Sequence, residues 1–135
     1  MIYGAEAWTM TRRGEKLLER TEMRMLRWML GISLRDRNRN EDIRKKLGVA
    51  CVSDKIREAR LRWYGHVMRR EEDSCLKRIM KADVYGRRSR GRQKKRWEDA
   101  IREDMKHLKL KNEDTKDRGK WKRRIRVADP SVERD

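Results

Sequence analysis

Ser53-Asp54-Lys55-Ile56-Arg57-Glu58-Ala59-Arg60-Leu61-Arg62-Trp63-Tyr64-Gly65-His66-Val67-Met68-Arg69-Arg70 is the stretch whose reading decides the fold. At about 100° per residue, Ile56, Ala59, Trp63 and Val67 share one apolar face, and Leu61, Tyr64 and Met68 form a second beside it. Glu58, Arg62, His66 and Arg69 take the polar side. The pattern predicts an amphipathic helix capped by Ser53 and running to about Arg70. Its two apolar faces make it the expected packing centre of an N-terminal lobe. Gly65 sits mid-helix, where glycine costs about 1 kcal/mol relative to alanine. The expectation is that a neighbouring backbone approaches closely there.

Upstream, Met1–Met10 reads as the tail of an element that begins earlier. A helix capped by Thr9 or Thr11 should run to Gly31. Leu17, Leu18, Met23, Met25, Leu26, Trp28, Met29 and Leu30 sweep more than half its circumference, which predicts burial on more than one side. The remaining strip carries Arg13, Lys16, Arg20, Arg24 and Arg27, a cationic ridge without an acid. A solvated helix face of the usual kind mixes signs. After a basic connector, Asn40 is placed to cap a short helix over Glu41–Leu47, with Glu41 and Asp42 at the positive end of its dipole and Gly48 past its end.

Downstream, Cys75–Tyr85 favours a short helix over a strand through Leu76, Ile79, Met80 and Val84. Then comes Tyr85–Trp97, in which Arg87, Arg88, Arg90, Arg92, Lys94, Lys95 and Arg96 place seven cations with no acid among them. Such a run repels itself and resists burial, so it is either a flexible basic linker or a grip laid along a polyanion. Trp97, Ile101, Met105 and Leu108 form a narrow seam on a helix of about Lys94–Lys109. Asn112–Asp117 is polar loop. A last helix over about Thr115–Val127 presents Trp121, Ile125 and Ala128, and Pro130 marks its end. The fold class expected is all-α: about five amphipathic helices in two small lobes, with residues 1–84 as a helical lobe, 85–97 as a basic Gly-containing linker, and 98–135 as a C-terminal helical pair with a frayed end.

Charged residues make up 47% of the chain and hydrophobic ones 36%, so the core is thin and a partner or flanking sequence is expected to support it. The net charge of +17 favours a polyanionic partner, with nucleic acid ahead of an anionic membrane surface. No run of about eighteen apolar residues exists to span a membrane, and residues 1–10 lack the pattern of a secretory signal. Two cysteines fit a reduced, intracellular setting.

Catalytic chemistry finds no foothold. Cys51, His66, Cys75 and His107 are too scattered for the close ligand pairs of a zinc site. The acids Glu41-Asp42, Glu71-Glu72-Asp73, Glu98-Asp99 and Glu103-Asp104 sit as neighbours on single elements rather than converging from several. None of Ser33, Ser53, Ser74, Ser89 and Ser131 has a histidine near it in sequence, and no nucleophile elbow or phosphate-binding glycine loop is present. Tyr85, Trp97 and Trp121 stand among cations, as bases stacking on rings would require, but a core role suits both tryptophans better. No cofactor, metal or small-molecule substrate is expected.

Five words recur in order: Tyr3-Gly4-Ala5-Glu6-Ala7-Trp8; Met25-Leu26-Arg27-Trp28-Met29-Leu30-Gly31-Ile32; Arg37-Asn38-Arg39-Asn40-Glu41; Leu61-Arg62-Trp63-Tyr64-Gly65-His66-Val67 with Arg69; and Gly86-Arg87-Arg88-Ser89-Arg90-Gly91-Arg92-Gln93-Lys94-Lys95-Arg96-Trp97. In this the chain resembles the region after the polymerase core of LINE-type (non-LTR) retrotransposon reverse transcriptases, from about Ile2 to Ala128. The resemblance implies a thumb-like first lobe and a basic helical tail that hold a template–primer by its backbone. It also implies an RNA-directed DNA polymerase as the parent, whose Tyr-x-Asp-Asp motif, endonuclease domain and Cys-Cys-His-Cys knuckle this sequence lacks. Gln93 stands where relatives often carry the proline of Arg-Gly-Arg-Pro. The expectation is therefore a non-catalytic fragment that binds RNA or DNA through Arg20, Arg24, Arg27, Arg87, Arg88, Arg90, Arg92, Lys94, Lys95 and Arg96, in a nuclear or cytoplasmic ribonucleoprotein. Its other expected partner is a palm and fingers core. The alternatives are a helical module docking on such a core and a vestigial product without activity.

Overall fold

Thr11 sets the first long helix: its hydroxyl accepts the Gly14 N–H at 3.2 Å, and α1 runs Arg12–Met29. Gly31 takes φ +64°, a left-handed conformation that suits glycine, and the Ile32 N–H returns to the Arg27 carbonyl at 3.0 Å. The protein is described by a computed structural model over residues 3–82, 86, 90–91 and 94–130. The remaining helices are α2 (Asn40–Leu47), α3 (Val52–Met68), α4 (Cys75–Lys81), α5 (Trp97–His107) and α6 (Arg118–Ile125), with 3-10 turns at Ala5–Ala7, Leu34–Asp36 and Asn112–Thr115. No strand occurs among the described residues, and the fold is all-α.

Several ends differ from expectation. Asn40 is the first residue of α2 rather than its cap, and its Oδ1 instead accepts Arg27 Nη2 at 2.6 Å. α3 begins at Val52, so Ser53 lies inside the first turn and its hydroxyl donates to Glu19 Oε1 at 2.6 Å. Ser74 caps α4 through the Lys77 N–H. α5 opens only at Trp97, where Asp99 Oδ2 accepts the Arg96 N–H at 3.0 Å. α6 opens at Arg118, capped by Asp117, whose carboxylate accepts the Lys120 N–H at 2.9 Å.

The chain forms two compact units. One comprises Met10–Glu58 with the segment from Val127, the other Met1–Thr9 with Ala59–Arg126. The division therefore falls within α3, whereas the sequence reading placed its lobes on either side of 85–97. In the first unit Met23, Leu26 and Ile43 are buried together, with Leu30, Ile32, Leu47 and Val49 packed around them. Arg44 Nη2 meets Glu22 Oε2 at 2.7 Å. The Val127 segment is fastened by its N–H to Glu58 Oε2 at 3.0 Å and by Lys55 Nζ to the Val127 carbonyl at 2.8 Å. Glu58, expected on the polar side, is consequently buried.

The second unit is built on the C-terminal half of α3. Leu61 and Tyr64 are buried with Ile101, Met105, Leu110, Trp121 and Ile125. α3 thus packs this half against α5 and α6 instead of centring an N-terminal lobe. Trp97 and Leu108 extend the predicted seam, and Trp97 Nε1 donates to the Glu6 carbonyl at 2.7 Å. Arg60 and Asp104 are both buried and joined at 2.6 Å. The close approach at Gly65 is made by a side chain, the Trp121 indole, and not by a backbone. Ala128, expected on the α6 seam, is exposed.

The wide apolar arc of α1 is only partly used. Met23 and Leu26 are buried, but Leu17 is 63%, Trp28 83%, Met29 62% and Met25 43% exposed within the chain. Burial on more than one side, expected from the width of the arc, is not what the structure shows.

Candidate nucleic-acid interface

α1 sorts its charges by face. Two of its three carboxylates are held by protein partners, Glu19 by Ser53 and Glu22 by Arg44. That leaves Arg13, Lys16, Arg20 and Arg24 exposed on the outer face. Arg27, partly buried, is held by Asn40. The cations flank a groove of about 850 Å³ lined also by Met23, Trp28, Ile32, Leu34, Asn40 and Arg44, and by the one carboxylate Glu19, which Ser53 holds. Burial weighs against the charged form of Arg44, yet its hydrogen bond to Glu22, with Cys51 and Glu19 nearby, raises its pKa. Its buried Nε has no hydrogen-bond partner. The arrangement offers a row of guanidinium and ammonium groups at one-turn spacing beside an exposed indole, chemistry suited to phosphates next to a flat ring.

Within the basic run, Arg90, Lys94 and Arg96 are exposed. Lys95 is turned aside to Glu103 Oε2 at 2.5 Å. Arg87, Arg88, Arg92 and Tyr85 lie outside the described residues. The ridge and the run belong to different units. Of the other aromatic candidates, Trp121 is 1% exposed and Trp97 packs against the same core, so both serve packing.

Sequence reasoning missed a second cationic concavity, within the other unit. Arg62, Trp63 and His66 of α3, with Arg69 and Arg70 just past its end, face Arg118, Trp121 and Lys122 of α6 across it. The signal was present: these positions recur at helical spacing on α3, a pattern usually searched for apolar residues alone.

Among the described residues no three His, Cys, Asp or Glu side chains gather as metal ligands, and no helix is long and apolar enough to cross a membrane. Cys51 and Cys75 are free thiols.

No protein-family model matches the chain, and no solved structure matches it significantly. A protein of Caenorhabditis elegans described as transposon-derived and uncharacterized is 30% identical to it over 111 residues, 78% of this chain. The match covers 39% of that protein's length. This likeness supports a transposon-related origin for the chain.

Proposed function

We propose that the chain is a non-catalytic nucleic-acid-binding part of a LINE-type retrotransposon reverse transcriptase, contacting template–primer phosphates. The observation that carries this reading is the sorting of charge on α1: the acids Glu19 and Glu22 engage protein partners, while Lys16, Arg20 and Arg24 face outward. Backbone contacts of this kind position a strand without reading its sequence, so low sequence specificity follows. Exposed Arg90, Lys94 and Arg96 supply further contacts, and Arg87, Arg88 and Arg92 extend the same run in sequence. The setting is an intracellular ribonucleoprotein. The test is competition: Lys16→Gln/Arg20→Gln/Arg24→Gln should bind a mixed-sequence RNA–DNA duplex about tenfold or more weakly than the unaltered chain. Equal binding would overturn the role of α1.

A second reading has its own support. Exposed Leu17, Trp28 and Met29 lie beside the ridge on α1, as a helix docking on a polymerase palm and fingers core would require. Salt-insensitive binding to such a core in the absence of nucleic acid would favour it.

A further inference from the structure

On α3, Ala59, Arg62, Trp63 and His66 recur at i, i+3, i+4 and i+7, which places them on one stripe, and Arg69 and Arg70, just past the helix end at Met68, line the same concavity. On α6, Arg118, Trp121, Lys122 and Ile125 recur at i, i+3, i+4 and i+7. The two stripes face one concavity of about 990 Å³ inside a single unit. Trp121 and Ile125 are buried with the core, which leaves Arg62, Arg70, Arg118 and Lys122 exposed around it. Glu6 is the one carboxylate among the described lining residues.

Two details point to what fills such a place. The indole of Trp63 stacks on His66, with centroids 5.4 Å apart and planes 22° from parallel, and Trp63 remains 39% exposed. A flat aromatic surface is thus held among cations. Arg69 bonds the Thr115 carbonyl at 2.9 Å; burial, and then the like charge of Arg118, lowers its pKa. Cations brought together against their own repulsion are relieved by an anion seated between them.

We infer that the concavity between α3 and α6 is a separate nucleotide site, taking a phosphate of a single strand on Arg70, Arg118 and Lys122 with its unpaired base on Trp63. An acidic peptide would satisfy the cations but leave the ring without a planar partner; a base with its phosphate satisfies both. The site does not depend on the α1 ridge, and a strand short enough to occupy one unit tests it alone.

The experiment uses the full chain and a fluorescently labelled 5′-phosphorylated thymidine dinucleotide, followed by anisotropy. Trp63→Leu and Arg118→Gln/Lys122→Gln should each weaken binding about tenfold or more, while Lys45→Gln/Lys46→Gln, two exposed cations of α2, leaves it within about twofold. Circular dichroism of each variant establishes that it is folded, and the Arg118 and Lys122 changes are on exposed side chains that leave the core intact. Unchanged binding by the folded Arg118→Gln/Lys122→Gln variant overturns the inference. So does loss only in the α1 variant Lys16→Gln/Arg20→Gln/Arg24→Gln, a result that leaves the proposed function standing. Displacement of the dinucleotide by polyglutamate as readily as by unlabelled dinucleotide also overturns it. Conversely, dinucleotide binding that needs the α3–α6 residues, with no duplex binding lost in the α1 variant, supports this site and removes the α1 reading.

Discussion

The Trp121 indole occupies the space beside Gly65 that a side chain would need: a β-carbon there would overlap Nε1 and lie 2.8 Å from Cδ1. The same Nε1 donates to the Leu61 carbonyl at 3.0 Å, one turn earlier on α3. Absence of a side chain at residue 65 thus lets a ring from α6 lie against the α3 backbone and bond to it.

Gly65→Ala should therefore destabilise the chain although alanine is the better helix former. Propensity alone would add about 1 kcal/mol; displacing the buried indole should cost about 1–3 kcal/mol and leave a net loss. Urea denaturation checks the sign. A variant more stable than its parent would contradict the packing described.

Arg60 and Asp104 form an ion pair with both residues buried, at 2.6 Å. Arg60→Met takes the guanidinium away from a buried carboxylate and should cost about 3–5 kcal/mol. Arg60→Met/Asp104→Leu should recover part of that loss, since no buried charge remains. A double variant less stable than the single would contradict the pairing.

How far the sequence could be read follows from such residues. The cap at Thr11 and the seam Trp97, Ile101, Met105 were legible because they depend on chain-local geometry. The burial of Glu58 and Arg60 was not, since their partners Val127 and Asp104 are distant in sequence. On α1, periodicity placed Leu17 and Trp28 in an apolar arc without distinguishing a buried position from an exposed one. The ridge was visible in the order of residues. That Glu19 and Glu22 are engaged by protein partners was not, because those partners come from α3 and α2.

Exposure makes a paired prediction within α1 and its neighbour. Ile43→Ala empties a position that is 1% exposed in the Met23–Leu26 cluster and should cost about 2–5 kcal/mol. Trp28→Ser, at a position 83% exposed, should change stability by no more than about 0.5 kcal/mol. Comparable losses from both, measured as shifts of the urea midpoint, would mean that Trp28 is covered.

Acid should weaken the fold through particular carboxylates. Asp114 accepts the Lys111 N–H and pairs with Lys120 and Arg124, which lowers its pKa from 3.8 to about 2. A depressed carboxylate stabilises the native state above its unfolded pKa, and that contribution disappears as pH falls from about 4 to about 2. Glu72, paired with Lys77 and Lys81, is likewise lowered from 4.5 to about 2, but its pairs are exposed and more readily screened. Asp114→Asn should flatten the stability profile between pH 4 and 2, with Glu72→Gln doing so mainly at low salt. An unchanged profile in Asp114→Asn would contradict this assignment.

The salt dependence of oligonucleotide binding tests the central claim most directly. If four phosphates of a single strand are neutralised, log K should fall with log salt at a slope near −3, about −0.7 per contact. Replacing Arg20 and Arg24, or Arg87, Arg88, Arg90 and Arg92, by glutamine should bring that slope closer to zero by about 0.7 for each contact removed. A slope near zero for the unaltered chain, or the same steep slope in both variants, would contradict phosphate binding by these residues.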